Sequence, residues 1–206
     1  TDFYERHGVK VSFVGHPLLE MVKSNAERAE TLTQLGLDPN RPVIALLPGS
    51  RRGEVTRHLP AMAEAAVELS RERKAQFLCI RAPTIDGAEL RSWLDRTGAR
   101  MPIVEDDRYG AIQASDVAWT ASGTATVEIA LLGRPMIIVY RLSWLTYLIA
   151  RWLVRVDHIG MVNLIAGQRL MPELIQRDVS PDRIAAETRT LLDDPKRRAR
   201  ITAELS

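Results

Sequence analysis

The feature that most narrows the fold of this chain is an alternation. Short apolar runs are followed, one after another, by longer stretches with helical spacing. Pro42-Val43-Ile44-Ala45-Leu46-Leu47, closed by Pro48-Gly49, is a continuous apolar run, the pattern of a strand buried on both faces. A helix follows, with Leu59, Met62, Ala66 and Leu69 near helical period. The strand signal returns at Gln76–Ile80, Met101–Val104, Asp116–Thr120 and Pro135–Tyr140. Between these lie helical stretches at Asp86–Thr97 (closed by Gly98), at Tyr109–Ala114, and from Ser122-Gly123 to Gly133. Upstream, Val11–Val14 reads as a short strand ending at Gly15-His16-Pro17, followed by a helix from Ala26 to Leu35. Such alternation predicts a Rossmann-like α/β fold, a parallel sheet flanked by helices and joined by right-handed crossovers. Beyond Tyr140 the pattern turns helical, so residues 1–140 read as the α/β domain and 141–206 as an all-helical extension packing on it.

Composition removes several classes of function. With 46% hydrophobic and 26% charged residues the chain is neither disordered nor fibrous. A net charge of +2 gives no reason to expect a nucleic-acid partner. Of the 28 basic residues only Lys10, Lys23, Lys74 and Lys196 are lysines, leaving many forked donors suited to phosphate. The lone Cys79, inside Phe77-Leu78-Cys79-Ile80, excludes a disulfide framework and reads as a buried thiol. His7, His58 and His158 show no metal-ligand spacing, so no metal site and no cofactor are expected. The chain starts at Thr1 without Met, as a processed protein or a piece of a longer one would, and its first apolar segment lacks the marks of a signal peptide.

In an open parallel sheet, ligands sit beyond the carboxyl ends of the strands, which directs attention to two strand-to-helix turns. In Leu47-Pro48-Gly49-Ser50-Arg51-Arg52-Gly53-Glu54, Gly49 allows close backbone approach, Ser50 can cap or donate, and Arg51 offers a fork to phosphate. The turn matches neither the P-loop nor GxGxxG, and taken alone it leans towards a capped turn with two solvated arginines. In Ala121-Ser122-Gly123-Thr124-Ala125-Thr126-Val127-Glu128, Ser122 is the expected N-cap, and Gly123 and Thr124 present N–H groups to an anion. Thr124 and Glu128 share a face, with Glu128 placed to accept from ribose hydroxyls, while Val127, Ala130 and Leu131 face the core. The bland alternative is a capped helix with a dipole-friendly Glu. Together, on one edge of the sheet, the two turns favour a nucleotide.

These residues resemble a known family. Phe13-Val14-Gly15-His16-Pro17-Leu18, the Gly49 and Ser122 turns, Pro135-Met136 with Tyr140-Arg141, Asn163-Leu164-Ile165-Ala166-Gly167 and Pro172-Glu173-Leu174-Ile175-Gln176 are similar, in order, to the C-terminal half of lipid-A-disaccharide synthases. Ser-Gly-Thr-x-x-x-Glu alone also fits other GT-B glycosyltransferases and UDP-sugar 2-epimerases; the last two motifs select this family. Met161-Val162 departs from it, since the family commonly has a Pro beside the Asn.

The resemblance implies a GT-B donor-nucleotide-binding domain completed by residues 141–206. It implies an inverting, metal-independent hexosyltransferase of lipid A biosynthesis. The substrates would be UDP-2,3-diacylglucosamine and 2,3-diacylglucosamine 1-phosphate. Gly49, Ser50, Arg51, Ser122, Gly123 and Thr124 would bind UDP, with Arg51 stabilising the leaving diphosphate and Glu128 holding the ribose. Asn163 and Gln176 would line the donor pocket. The general base would lie in an N-terminal domain outside this chain, so the isolated chain would be inactive; His16 is read as structural. Alternatives are another GT-B transferase, a UDP-sugar 2-epimerase, or a non-catalytic nucleotide-binding module.

Leu142–Val156, LSWLTYLIARWLVRV, is too short and too interrupted by Arg151 to span a bilayer. Trp144, Tyr147, Arg151, Trp152 and Arg155 suit a helix lying at a membrane surface, and a core or subunit-interface helix fits equally well. With the diacylated substrates that the resemblance implies, peripheral attachment to the inner face of the cytoplasmic membrane is the expectation, and a face of this helix could also serve a homodimer.

Overall fold

The computed structural model describes residues 2–12, 18–144 and 158–205. Six strands form one parallel sheet: β1 (Val43–Leu47), β2 (Gln76–Ile80), β3 (Ile103–Val104), β4 (Val117–Ala121), β5 (Met136–Tyr140) and β6 (Glu173–Ile175). Their order is β3-β2-β1-β4-β5-β6. Ala45 of β1 is paired with Leu78 on one side and Ala118 on the other. Every residue of β1 and β4 is buried, as a continuous apolar run demands when helices cover both faces.

The described helices, numbered in chain order, are α1 (Asp2–Arg6), α2 (Leu18–Met21), α3 (Arg28–Gln34), α4 (Arg52–Arg73), α5 (Gly87–Thr97), α6 (Arg108–Ala114), α7 (Thr124–Leu131), α8 (Met161–Ala166), α9 (Pro181–Asp193) and α10 (Pro195–Leu205). α4 packs against α5 and α9, and α3 against α6. Leu59, Met62, Ala66 and Leu69 all lie in the core, as their spacing predicts. Trp119 of β4 is fully buried; its indole N–H donates to Thr188 Oγ1 at 2.9 Å, tying the sheet to α9. α5 starts at the Asp86 cap, which accepts from the Glu89 N–H, and stops at Gly98 in the left-handed region.

The segment after Tyr140 is not all helical. Glu173–Ile175 pairs with β5 and extends the sheet. A three-residue edge strand is too short to show a period, which is why the sequence pattern hides it. Val11 and Ser12 are not in a strand, and residues 13–17 lie outside the described residues.

Because β1 is flanked by β2 and β4, the chain winds outwards in opposite directions from this pair. That reversal opens a crevice at the carboxyl ends of β1 and β4, where a parallel sheet takes its ligands.

Candidate functional site

A cavity of about 340 Å3 fills this crevice. Gly49, Ser50 and Arg51 from the β1–α4 turn line one side, and Ser122, Gly123, Thr124 and Glu128 from the β4–α7 turn line the other. The structure thus brings together seven of the expected site residues. Arg81, Arg108 and Glu54 complete the wall.

The two turns are built differently. In the first, Arg51 is the N-cap of α4, and the side chain of Glu54 folds back over the turn. Glu54 Oε2 accepts from the Ser50 N–H at 3.0 Å and the Arg51 N–H at 3.3 Å, a capping-box arrangement. Gly49 adopts φ +134°, and a Cβ there would stand 2.6 Å from Glu54 Cβ. The turn needs glycine because it packs against its own capping carboxylate. The Arg51 side chain is 84% exposed and reaches back to Glu54 Oε1 at 3.3 Å.

In the second turn the N-cap of α7 is Gly123, not Ser122. Ser122 Oγ instead donates to the Ile159 carbonyl at 2.9 Å, fastening the β4 end to the chain before α8. Thr126, Ile129 and Ala130 of α7 face the core, while Val127 is half-buried and Leu131 exposed, so the core-facing stripe is not the Val127, Ala130 and Leu131 that the sequence predicts. The first turn of α7 has no side-chain cap and no acidic residue. Thr126 N–H bonds Gly123 O, and no acceptor among the described residues meets the N–H groups of Thr124 and Ala125. That is an anion-ready helix start.

Glu128 is buried, and Arg108 at the start of α6 donates to its Oε1 at 2.6 Å. Arg108 also bonds the Tyr109 hydroxyl at 2.6 Å and lies 4.6 Å from its ring centroid. Sequence reasoning missed both Arg108 and Glu54. Glu54 stands three residues after its N-cap, the capping-box spacing, and Arg108 begins the helix after β3 on the same sheet edge, so both carried a readable signal.

Two expected residues lie elsewhere. Asn163 is fully buried: its side chain donates to Met171 O at 2.9 Å and Glu173 Oε1 at 2.7 Å, and accepts from the Met171 N–H at 2.8 Å. It ties α8 to β6 and does not line the crevice. Gln176, at φ +52°, accepts from the Leu142 N–H at 3.0 Å and lines a separate cavity of about 320 Å3 with Arg141, Trp144 and Arg177. Trp144 is exposed, with the Arg177 guanidinium 5.8 Å from its ring centroid. Tyr147, Arg151, Trp152, Arg155 and His16 fall outside the described residues. No described helix is long and apolar enough to cross a membrane.

The family profile described as lipid-A-disaccharide synthetase matches residues 1–205. The chain belongs to this family. Its relatives include the lipid-A-disaccharide synthases of Geobacter sulfurreducens, 48% identical over 195 residues, and Syntrophus aciditrophicus, 48% identical over 207 residues. The matches cover 94% and 98% of this chain but 50% and 54% of those proteins, so the chain spans about half the length of these family members. Solved structures share the fold at low identity. A putative UDP-N-acetylglucosamine 2-epimerase from Listeria monocytogenes gives a TM-score of 0.62 at 15% identity, covering 90% of this chain and 45% of that one. WaaG, a glycosyltransferase involved in lipopolysaccharide biosynthesis, gives 0.59 at 11%, covering 92% and 48%. Escherichia coli ADP-heptose heptosyltransferase II gives 0.56 at 19%, covering 82% and 52%. What these structures share with the chain is the fold, a parallel sheet flanked by helices.

Proposed function

We propose that this chain is the donor half of a lipid-A-disaccharide synthase, binding the UDP moiety of UDP-2,3-diacylglucosamine in the β1/β4 crevice. The observation that carries this reading is the convergence of Arg51 and the uncapped α7 N-terminus on one cavity at the topological switch point. A diphosphate on the Thr124 and Ala125 N–H groups would lie within reach of the Arg51 guanidinium, and Glu128 would hold the ribose. In the whole enzyme the acceptor, 2,3-diacylglucosamine 1-phosphate, attacks the anomeric carbon with inversion while UDP departs. Negative charge grows on the leaving diphosphate, so donors fixed around it lower the barrier. Arg51 supplies that stabilisation.

The general base belongs to the half of the family length outside this chain. Residues 1–140 carry the nucleotide platform, and 141–206 pack on it and close the donor site in the whole enzyme, with Gln176 lining the neighbouring cavity beside Arg141. Attachment to the inner face of the cytoplasmic membrane through Trp144, Tyr147, Arg151, Trp152 and Arg155, and a homodimer, complete the reading.

The test is calorimetric titration of the chain with UDP and with uridine, alongside an assay for disaccharide. UDP is expected to bind weakly and uridine more weakly still, with no turnover of donor. Equal affinity for UDP and uridine would remove the diphosphate from the crevice, and disaccharide formation by the isolated chain would place the base within it.

A further inference from the structure

Each turn of the crevice has backbone N–H groups at a helix start, but only one leaves them open. In the β1–α4 turn the Glu54 carboxylate takes the N–H groups of Ser50 and Arg51, at 3.0 and 3.3 Å, and meets Arg51 Nη1 with its other oxygen at 3.3 Å. Gly49 is shaped around that carboxylate, since any Cβ would stand 2.7 Å from Oε2. A carboxylate inside an anion-binding crevice opposes an incoming diphosphate by simple charge. Its place there needs a compensating role.

We propose that Glu54 is the positioning residue of the donor crevice. By filling the anion hole of its own turn it leaves the Arg51 guanidinium as what that turn offers to the diphosphate, and it anchors that guanidinium on the crevice side. The two turns then divide the work: α7 supplies backbone N–H groups, and α4 supplies one oriented side chain. This rests on the donor-binding reading above.

The two effects of Glu54 have opposite signs, which makes the experiment decisive. Removing its charge alone tightens UDP binding, whereas losing the position of Arg51 weakens it. Titration of parent, Glu54→Ala, Glu54→Gln and Arg51→Ala with UDP and uridine separates them. Glu54→Ala is expected to weaken UDP roughly tenfold, as for a lost charge-assisted hydrogen bond, and to leave uridine unchanged. Glu54→Gln keeps an oxygen for the Ser50 and Arg51 N–H groups, so it should fold as the parent does and recover most of the loss. UDP binding in Glu54→Ala as tight as the parent's, or tighter, overturns the inference even where Arg51→Ala abolishes binding. If the parent itself binds no UDP, the donor reading and this inference fall together.

Discussion

The two edges of the sheet use the same residue type for opposite ends. At the carboxyl edge Arg51 projects into solvent, and α7 begins with open N–H groups. At the amino edge, arginines close the carbonyl ends of helices. Arg28 donates to Ala114 O at the end of α6, Arg41 Nε to Lys74 O just past α4 at 2.7 Å, and Arg198 to Leu192 O of α9 at 3.1 Å. Arg28 also pairs with Asp116 at 3.0 Å, and Arg73 with Asp193. A cavity of about 510 Å3 lies among them, larger than the one at the carboxyl edge. Volume therefore does not mark the site here. At the amino edge the guanidiniums answer helix C-termini, as the macrodipole favours, and act as structure. At the carboxyl edge the donors are left for something outside the protein.

The sharpest way to break this contrast is Asp116→Ala. Asp116 Oδ2 accepts from the Val43 N–H at 2.9 Å as well as from Arg28, so it fixes the start of β1. Its loss strands the Val43 N–H, while Arg28 keeps the Ala114 and Arg41 carbonyls, and should cost up to about 3 kcal/mol in denaturant unfolding. UDP affinity of the folded variant should stay within about twofold of the parent, because no crevice residue changes. A large loss of affinity at unchanged stability would mean that the amino edge takes part in binding.

The converse variant is Arg51→Ala. With its side chain largely in solvent, stability should move by no more than about 0.5 kcal/mol. UDP affinity should fall by about 1.5–3 kcal/mol, roughly ten- to a hundredfold, as for a lost hydrogen bond to a charged group. Calorimetry and thermal melting on one sample measure both. A destabilised Arg51→Ala variant with intact UDP binding would reverse the roles assigned to the two edges.

How far the sequence predicts this contrast depends on the range of the signal. The strands and the crossing helices follow from apolar period, which is local, and five of the six strands were readable from it. The turn residues were legible because strand ends in a parallel sheet converge, so Gly49, Ser50, Arg51 and the Ser122–Glu128 stretch could be placed together. What failed needed contacts between distant residues. Ser122 gives up capping because Ile159, far along the chain, offers a carbonyl. Asn163 turns inward because β6 brings Met171 and Glu173 beside it. Polar side chains do not announce in sequence whether a ligand or a backbone group will meet them.

His58 gives the smallest and most delicate test, because it joins the β1–α4 turn to the chain leaving β5. It is buried on α4, with Nδ1 2.9 Å from Pro48 O, an acceptor, so Nδ1 carries the hydrogen. Nε2 then accepts from the Arg141 N–H at 3.0 Å, which only a neutral ring can do. Burial holds its pKa below the ordinary value of 6.5, against the pull of the Pro48 carbonyl. The folded state thus keeps the ring neutral at a pH where the unfolded chain already binds a proton. This contribution to stability is complete above about pH 6.5 and is lost as pH falls from there towards the lowered folded value. Unfolding free energy measured in denaturant from pH 7.5 down to 5 should show that acid-side loss in the parent and a smaller slope in His58→Gln. UDP affinity of the folded protein should hold across that range and weaken only once pH reaches the lowered folded value, where protonation costs the Arg141 contact and loosens the turn that carries Arg51. Equal slopes in parent and variant would confine the carboxyl edge's pH response to other groups and sever His58 from the site.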